Sequence, residues 1–330
     1  MKKYFLIALV VIVAIILIVL VSNKKDGDKL SDIYQASIQF SWIPSGTFGG
    51  DAAGIAKFDE ENNLNLVGYW GGPGINPIQM VQSGNATFGH VGADEVLSAN
   101  DKGADFVILG VINQNSLAGF ASLSEKNIKT PKDLEGKKVG VIPYGNTTMI
   151  YENILAKNGV DRKKITEITV SNDLKPFLSG AYDVQPVFIN DETVNFDQEN
   201  IEYNLIEPKD FGVNIKGLVY FTKRETLEKN PEVVKAFVET MADGWNYAVK
   251  NPEKAIGMLK EIAPETDTTR EVQVLRKGIS YFTAYNNEPL NSDIESWNSM
   301  IDTLKQGGLI KNNVDLSKVL QFQFINEYYR

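Results

Sequence analysis

The stretch Phe40-Ser41-Trp42-Ile43-Pro44-Ser45-Gly46-Thr47-Phe48-Gly49-Gly50-Asp51 lies between two runs of different period. Before it, Tyr34-Gln35-Ala36-Ser37-Ile38-Gln39-Phe40 alternates like a strand; after it, Ala52-Ala53-Gly54-Ile55-Ala56-Lys57-Phe58 has a helical pattern. Glycines belong where backbone bends or comes close to something, and large aromatics belong where packing buries them. A loop that mixes the two has two readings. It is a hydrophobic staple beside a glycine-rich helix start, or it is a surface shaped for a ligand. The rest of the chain decides between them.

At 330 residues the chain is long enough for two cores. A net charge of −9 leaves no basic stripe to neutralise phosphates, so nucleic acid is not an expected partner. The absence of cysteine excludes disulfides, thiolate metal sites, cysteine nucleophiles and a lipid-modified N-terminus. The one histidine, His90, excludes a histidine-built metal or acid–base constellation. No metal or cofactor is expected. At the start, Lys2-Lys3 precede an unbroken apolar run over 4–21. That run is longer than a signal-peptide core and at the short end for a membrane span. Residues 1–22 are therefore expected to be an uncleaved transmembrane anchor, with a cleaved signal as the alternative. Residues 23–33 form a polar tether, and the large domain is expected outside the cytoplasm.

Along the chain, strand-like runs alternate with helical ones. Strands are expected at 64–67, 87–91 and 106–112, with helices at 76–82 and 94–102 between them. The rhythm breaks over 117–138 and restarts with a strand at 139–142, a helix at 147–158, a strand at 168–170, a helix at 173–181 and a strand at 184–189. This pattern predicts an α/β fold with two similar lobes, each a mostly parallel sheet with helices on both faces. Beyond 225 the chain turns helical, with helices expected at 231–249, 252–262, 268–282, 291–305 and 316–328. Val233, Phe237, Met241 and Trp245 would form one buried stripe, and Trp297 a second core position.

Several segments in a fixed order carry a resemblance. They are Trp42-Ile43-Pro44 followed by Gly49 to Ala56; Val81-Gln82-Ser83-Gly84-Asn85-Ala86-Thr87-Phe88-Gly89; Ile128-Lys129-Thr130-Pro131-Lys132-Asp133-Leu134-Glu135-Gly136-Lys137-Lys138-Val139-Gly140; Ser179-Gly180-Ala181-Tyr182-Asp183-Val184 leading to Asn190-Asp191-Glu192; and Gly244-Trp245-Asn246-Tyr247-Ala248 with Asn251-Pro252-Glu253-Lys254-Ala255-Ile256. With these the chain resembles the extracytoplasmic substrate-binding proteins of ABC importers, in the subfamily for thiamine-pyrimidine precursors, aliphatic sulfonates and nitrate-like solutes. The resemblance implies a two-lobed type II periplasmic-binding-protein-like fold that closes on its ligand about a hinge. It places lobe 1 at 34–120 plus 223–330 and lobe 2 at 121–222, with crossovers near 117–123 and 217–222. It implies a monomer that delivers a small molecule to an ABC permease and its ATPase.

In open α/β sheets ligands sit beyond the carboxyl ends of strands, which selects a few loops here. In the first, Trp42 or Phe48 would stack on a flat ring and Gly49 would let the helix start approach it. Trp70, in Tyr69-Trp70-Gly71-Gly72-Pro73-Gly74, is a second aromatic wall. Asp94 is a helix N-cap or a carboxylate for a ligand amine. Tyr144, Asn146 and Thr147 open a helix whose N–H groups and hydroxyls could take an oxygen. Phe188 and Glu192 follow an apolar strand at an end where the resemblance places ligand contacts, and Gln114 ends another strand. None of the five arginines lies in these loops. Guanidinium forks are the usual holders of sulfonate, so an amine-bearing heterocycle such as an aminopyrimidine is favoured. Three alternatives stand beside it: a binder of aliphatic sulfonate or a similar anion, a ligand sensor, and an enzyme. For the last, a eukaryotic branch of the resembled family looks like a pyrimidine-forming enzyme that consumes its own histidine and a lysine-bound pyridoxal phosphate, and His90 would be that histidine.

Overall fold

A computed structural model describes residues 33–143 and 147–330. The expected anchor and most of the tether lie outside the described residues. Among the described residues no helix is long and apolar enough to cross a membrane.

Among the described residues ten strands, β1 to β10 in chain order, form a five-stranded, a three-stranded and a two-stranded sheet, the last two linked by one bridge into a second set. β1 (Tyr34–Phe40), β2 (Leu64–Tyr69), β3 (Phe88–Gly92) and β4 (Phe106–Val111) join β10 (Leu218–Lys223) in the order β2-β1-β3-β10-β4. β5 (Ala118–Leu123) lies between β8 (Gln185–Phe188) and β9 (Tyr203–Ile206). β6 (Lys138–Val141) pairs with β7 (Thr166–Thr169) and meets the start of β8 through a parallel bridge from Val139 to Val184. The second set therefore reads β7-β6-β8-β5-β9, the same order as the first, position for position.

In each set the strands run mostly in one direction, as expected, with β10 reversed in the first and β5 in the second. β1 and β3 are parallel, but β10 runs antiparallel to both β3 and β4, and β5 antiparallel to both β8 and β9. The reason is where the chain crosses. Register pairs Val219 with Val111, the last residue of β4, and Ala118 with Phe188, the last of β8. Each crossing strand thus enters a sheet at the carboxyl edge and has to run back through it. The two crossing segments are themselves paired, Ser116 N–H to Ile215 O at 2.7 Å and Gly217 N–H to Asn113 O at 2.9 Å.

The helices used below are α1 (Gly49–Ala53), α2 (Pro77–Ser83), α3 (Ala93–Asp101), α4 (Thr147–Lys157), α5 (Glu192–Gln198), α6 (Pro231–Lys250), α7 (Pro252–Ile262), α8 (Thr268–Phe282) and α9 (Glu295–Gln306). Apolar residues at helical spacing place most of these, proline in the first turn opens α2, α6 and α7, and Asn76 caps α2 by accepting from Gln79 N–H. Three expected helices are shorter. The one at 173–181 is a single turn, Lys175–Leu178, ended by Gly180 at φ 79°. α9 starts late because Asn291 and Ser292 are tied to Gln114. The helix expected at 316–328 is split into Leu316–Val319 and Gln323–Tyr328, because Leu320 bridges to Ile108 and Gln321 N–H bonds Ile108 O at 2.9 Å. A single parallel bridge to β4 interrupts the helix there.

The first core is centred on α6, where Phe237, Met241 and Trp245 are buried and Phe237 stacks on Phe88 at 3.8 Å. Val233, at the end of that stripe, is only partly covered. Trp297 is fully buried, as expected. Phe177, Tyr182, Val187 and Phe196 form the core beside the second sheet.

Candidate ligand-binding site

At the carboxyl edge of the first sheet, side chains at positions 40, 90 and 220 are register neighbours. Phe40 stacks on Trp70 with centroids 4.3 Å apart. Phe48 stands edge-on to both, at 5.9 and 5.7 Å, and lies 5.0 Å from His90. Phe48 is 3% exposed, so it is a wall of this cluster from the inside, not the surface stacking partner that the sequence suggested. Trp70 is half-buried, with one face on Phe40. Trp42 is different: it is 42% exposed, and its carbonyl accepts from Gly71 N–H at 2.9 Å, which ties its loop to the loop after β2.

The glycines of the opening loop serve packing. A Cβ on Gly49 would lie 2.8 Å from Leu275, and one on Gly50 would lie 2.1 Å from the Trp245 ring. Gly244 completes the contact, since its Cβ would fall 2.3 Å from Gly50 O. Gly49 therefore lets α1 approach α8 and α7, while Gly50 and Gly244 let it approach α6, which corrects the reading of Gly49 as a residue opened toward a ligand.

Below them sits a buried polar chain. The Trp245 indole N–H donates to the Tyr220 hydroxyl at 2.8 Å, and that hydroxyl donates to Asp51 Oδ1. The other oxygen, Oδ2, has no partner among the described residues, and burial pushes the carboxyl up to about 8. His90 is fully buried with both ring nitrogens unpartnered among the described residues, and burial pushes it down to about 3, so it stays neutral.

Two further candidates are committed elsewhere. Asp94 is buried one residue inside α3, whose N-cap is Gly92, so it is not the N-cap. Gln114 spends its amide on the chain: Nε2 donates to Asn291 O at 2.6 Å, and Oε1 accepts from Ser292 Oγ at 2.8 Å and Lys216 Nζ at 3.1 Å. Both lone pairs of that oxygen are used. Lys216 is itself buried, and desolvation lowers its amine to about 8.

At the carboxyl edge of the second sheet, Phe188 ends β8 with 46% of its surface exposed. Glu192 is half-buried and accepts from Phe188 N–H at 2.7 Å through Oε2. Burial, with Asp191 beside it, pushes its carboxyl up to about 7. Thr147 is half-buried at the first position of α4, whereas Tyr144 and Asn146 lie outside the described residues. Asn190, fully buried, donates to Thr47 Oγ1 at 2.9 Å, so the loop after β8 touches the loop after β1. Sequence reasoning missed one neighbour of this loop: Arg270, on α8, reaches Asp191 across 79 positions of chain.

The arrangement thus leaves two aromatics exposed at the carboxyl ends of strands in different sheets, Trp42 after β1 and Phe188 at the end of β8, on loops that meet through Asn190 and Thr47. It adds a carboxyl, Glu192, near neutral charge balance at pH 7. Such a set can sandwich a flat ring and accept from its amines. Among the described residues no group of His, Cys, Asp and Glu could hold a metal ion.

Two like-ordered sheets joined by paired crossovers define a type II periplasmic-binding-protein fold. The periplasmic aliphatic sulphonate binding protein SsuA from Escherichia coli superposes with a TM-score of 0.68 at 17% identity, over 87% of this chain and 92% of that one. The profile of the NMT1/THI5-like family matches residues 58–255, and the chain belongs to that family. It is 24% identical over 314 residues to the formylaminopyrimidine-binding protein of Halalkalibacterium halodurans, covering 92% of this chain and 94% of the relative. It is 21% identical to the 4-amino-5-hydroxymethyl-2-methylpyrimidine phosphate synthase of Legionella pneumophila, over 75% of this chain and 78% of that protein.

Proposed function

We propose that this chain is an extracytoplasmic solute-binding protein for a thiamine-pyrimidine-precursor-like heterocycle. Its two sheets would form the cores of two lobes that close on the ligand and present it to an ABC permease. The N-terminal apolar segment would hold it at the membrane. The observation that carries the reading is that Trp42 and Phe188 are both exposed at strand ends whose loops touch through Asn190 and Thr47, with Glu192 bonded to Phe188. The family and its formylaminopyrimidine-binding member support the ligand class. Arg270, the arginine that reaches these loops, has its Nε, Nη1 and Nη2 bonded to Asn195, Glu271 and Asp191. It offers no spare fork for a sulfonate, which weighs against the anion reading.

The synthase relative keeps an enzymatic reading in view. Against it, His90 lies fully buried among Phe40, Phe48 and Tyr220, closed to a ligand in this arrangement. Thermal-shift screening of the purified chain tests the proposal. Stabilisation by hydroxymethyl- or formylamino-pyrimidines is expected. Stabilisation by taurine or alkanesulfonates alone would overturn it, and a pyridoxal Schiff-base absorbance would favour the enzyme.

A further inference from the structure

Helix α8 has two faces that do different things. Leu275 packs against Gly49 and Phe282 lies 4.6 Å from the Trp245 ring, so one face is fixed by apolar contact to the first-sheet half. Positions 270, 277 and 281 share the other face, because seven and eleven residues are close to whole turns of helix. All three reach the second-sheet half through polar groups. Arg270 pairs with Asp191 and donates to Asn195 Oδ1 at 2.9 Å; Lys277 pairs with Asp197; the Tyr281 hydroxyl donates to Glu207. Between them Asn190 is seated on the same helix, with its amide 3.3 Å from where a Cβ of Gly278 would be. The loop so held, 188–192, is the one that carries Phe188 and Glu192.

We infer that Arg270 is a positioning residue for the ligand site, acting as the first member of a polar seam along α8 that holds the two halves closed. The inference rests on the binding reading above for the site it positions, whereas the seam itself rests on the contacts of α8. Arg270 does not touch the ligand. It fixes Asp191, next to Glu192, and the N-terminal half of α5 through Asn195. It is tied back by Glu271, which accepts both from Arg270 and from Gly46 N–H in the opening loop. One guanidinium thus sets the loops of both sheets relative to each other. The ion pairs are partly open to water, with side chains 23% and 35% exposed at Arg270–Asp191 and 26% and 50% at Lys277–Asp197. Partly exposed pairs are screened by salt, whereas the apolar face of α8 is not. The halves should therefore separate along the seam as salt rises, with α8 staying on the first half.

The natural chain has no cysteine, so labels can be placed cleanly. Lys102→Cys on the first half and Lys163→Cys on the second, both exposed, carry spin labels in the full-length chain. Distances are read without added ligand in about 0.05 M and about 1 M NaCl, where the screening length falls from over 10 Å to about 3 Å. The same measurement is made in Arg270→Gln/Lys277→Gln, with the melting curve as a folding control. A shift of the distance distribution to longer values in high salt and in the double variant is expected, each pair changing the closed-to-open ratio by up to about fivefold. Affinity for a hydroxymethyl-aminopyrimidine should fall by about tenfold in Arg270→Gln and by less in Arg270→Lys, which keeps the charge but not the fork. Distances that do not move with salt or with the double variant would overturn the seam. Lost affinity with unchanged distances would show Arg270 to be a direct ligand contact and overturn its positioning role. Salt-driven opening in a chain that binds no pyrimidine would retire the ligand assignment and leave the seam in place.

Discussion

Replacing Asp51 by Asn should change how stability depends on pH. Burial holds the Asp51 carboxyl up at about 8 against an ordinary 3.8. A carboxyl whose folded value is raised binds its proton more tightly in the folded chain, so its contribution is complete below about 3.8 and is lost as pH rises through about 8. The slope is one proton, about 1.4 kcal/mol per pH unit. His90 acts in the opposite sense. Lowered from 6.5 to about 3, it is protonated more readily in the unfolded chain, so stability rises with pH across that interval. The two buried groups offset each other up to pH 6.5, and the descent owed to Asp51 is left uncovered from there to about 8. Asn keeps an acceptor for the Tyr220 hydroxyl and has no charge to desolvate. Urea unfolding at a series of pH values, compared between wild type and Asp51→Asn, gives the test. The variant should gain about 2 kcal/mol on wild type between pH 6.5 and about 8. Parallel curves across that window would refute the neutral, buried carboxyl.

Other perturbations separate packing from binding. Gly244→Ala sets a methyl 2.3 Å from Gly50 O and 2.5 Å from Gly54 N, backbone atoms with no room to yield. It should cost about 1–3 kcal/mol by overpacking, read as a lower melting temperature. Phe48→Ala opens the buried aromatic cluster and should cost about 3–5 kcal/mol in the ligand-free chain, which chemical denaturation would show. Glu192, held up at about 7, accepts from a ligand amine more strongly as the carboxylate, whose bond is charge-assisted, than as the neutral acid. Pyrimidine affinity measured by calorimetry should therefore rise from pH 6 to 8, by about tenfold per unit at most below that value. Glu192→Gln should flatten that profile.

The sheet framework was legible because its strands are short apolar runs bounded by turns, and the helices 252–262 and 268–282 begin and end where proline, Asp267 and the periodic residues stop. The crossing strands were not legible as antiparallel members, because direction is set by which edge the chain enters and periodicity carries no sign of that. Trp42 and Phe188 could be placed by the strand-end rule, since exposure there follows from connectivity. Gly49 misled because a glycine that admits a ligand and a glycine that admits a helix look alike. What tells them apart for Gly49 is Leu275 and Ile256 on two distant helices, over 200 positions along the chain, which no local pattern reveals. Gln114 and Arg270 failed for a related reason: Asn291, Ser292 and Asp191 are neighbours only in the folded chain.

In the proposed site, Trp42 would face a bound pyrimidine. Calorimetric titration of the full-length chain with a hydroxymethyl-aminopyrimidine, in wild type and Trp42→Ala, tests it most directly. Trp42 is 42% exposed, so its loss should leave the ligand-free melting temperature nearly unchanged while removing about 1–3 kcal/mol of binding, as for a lost stacking partner. Undiminished pyrimidine binding by Trp42→Ala, or binding of alkanesulfonate alone, would contradict the account.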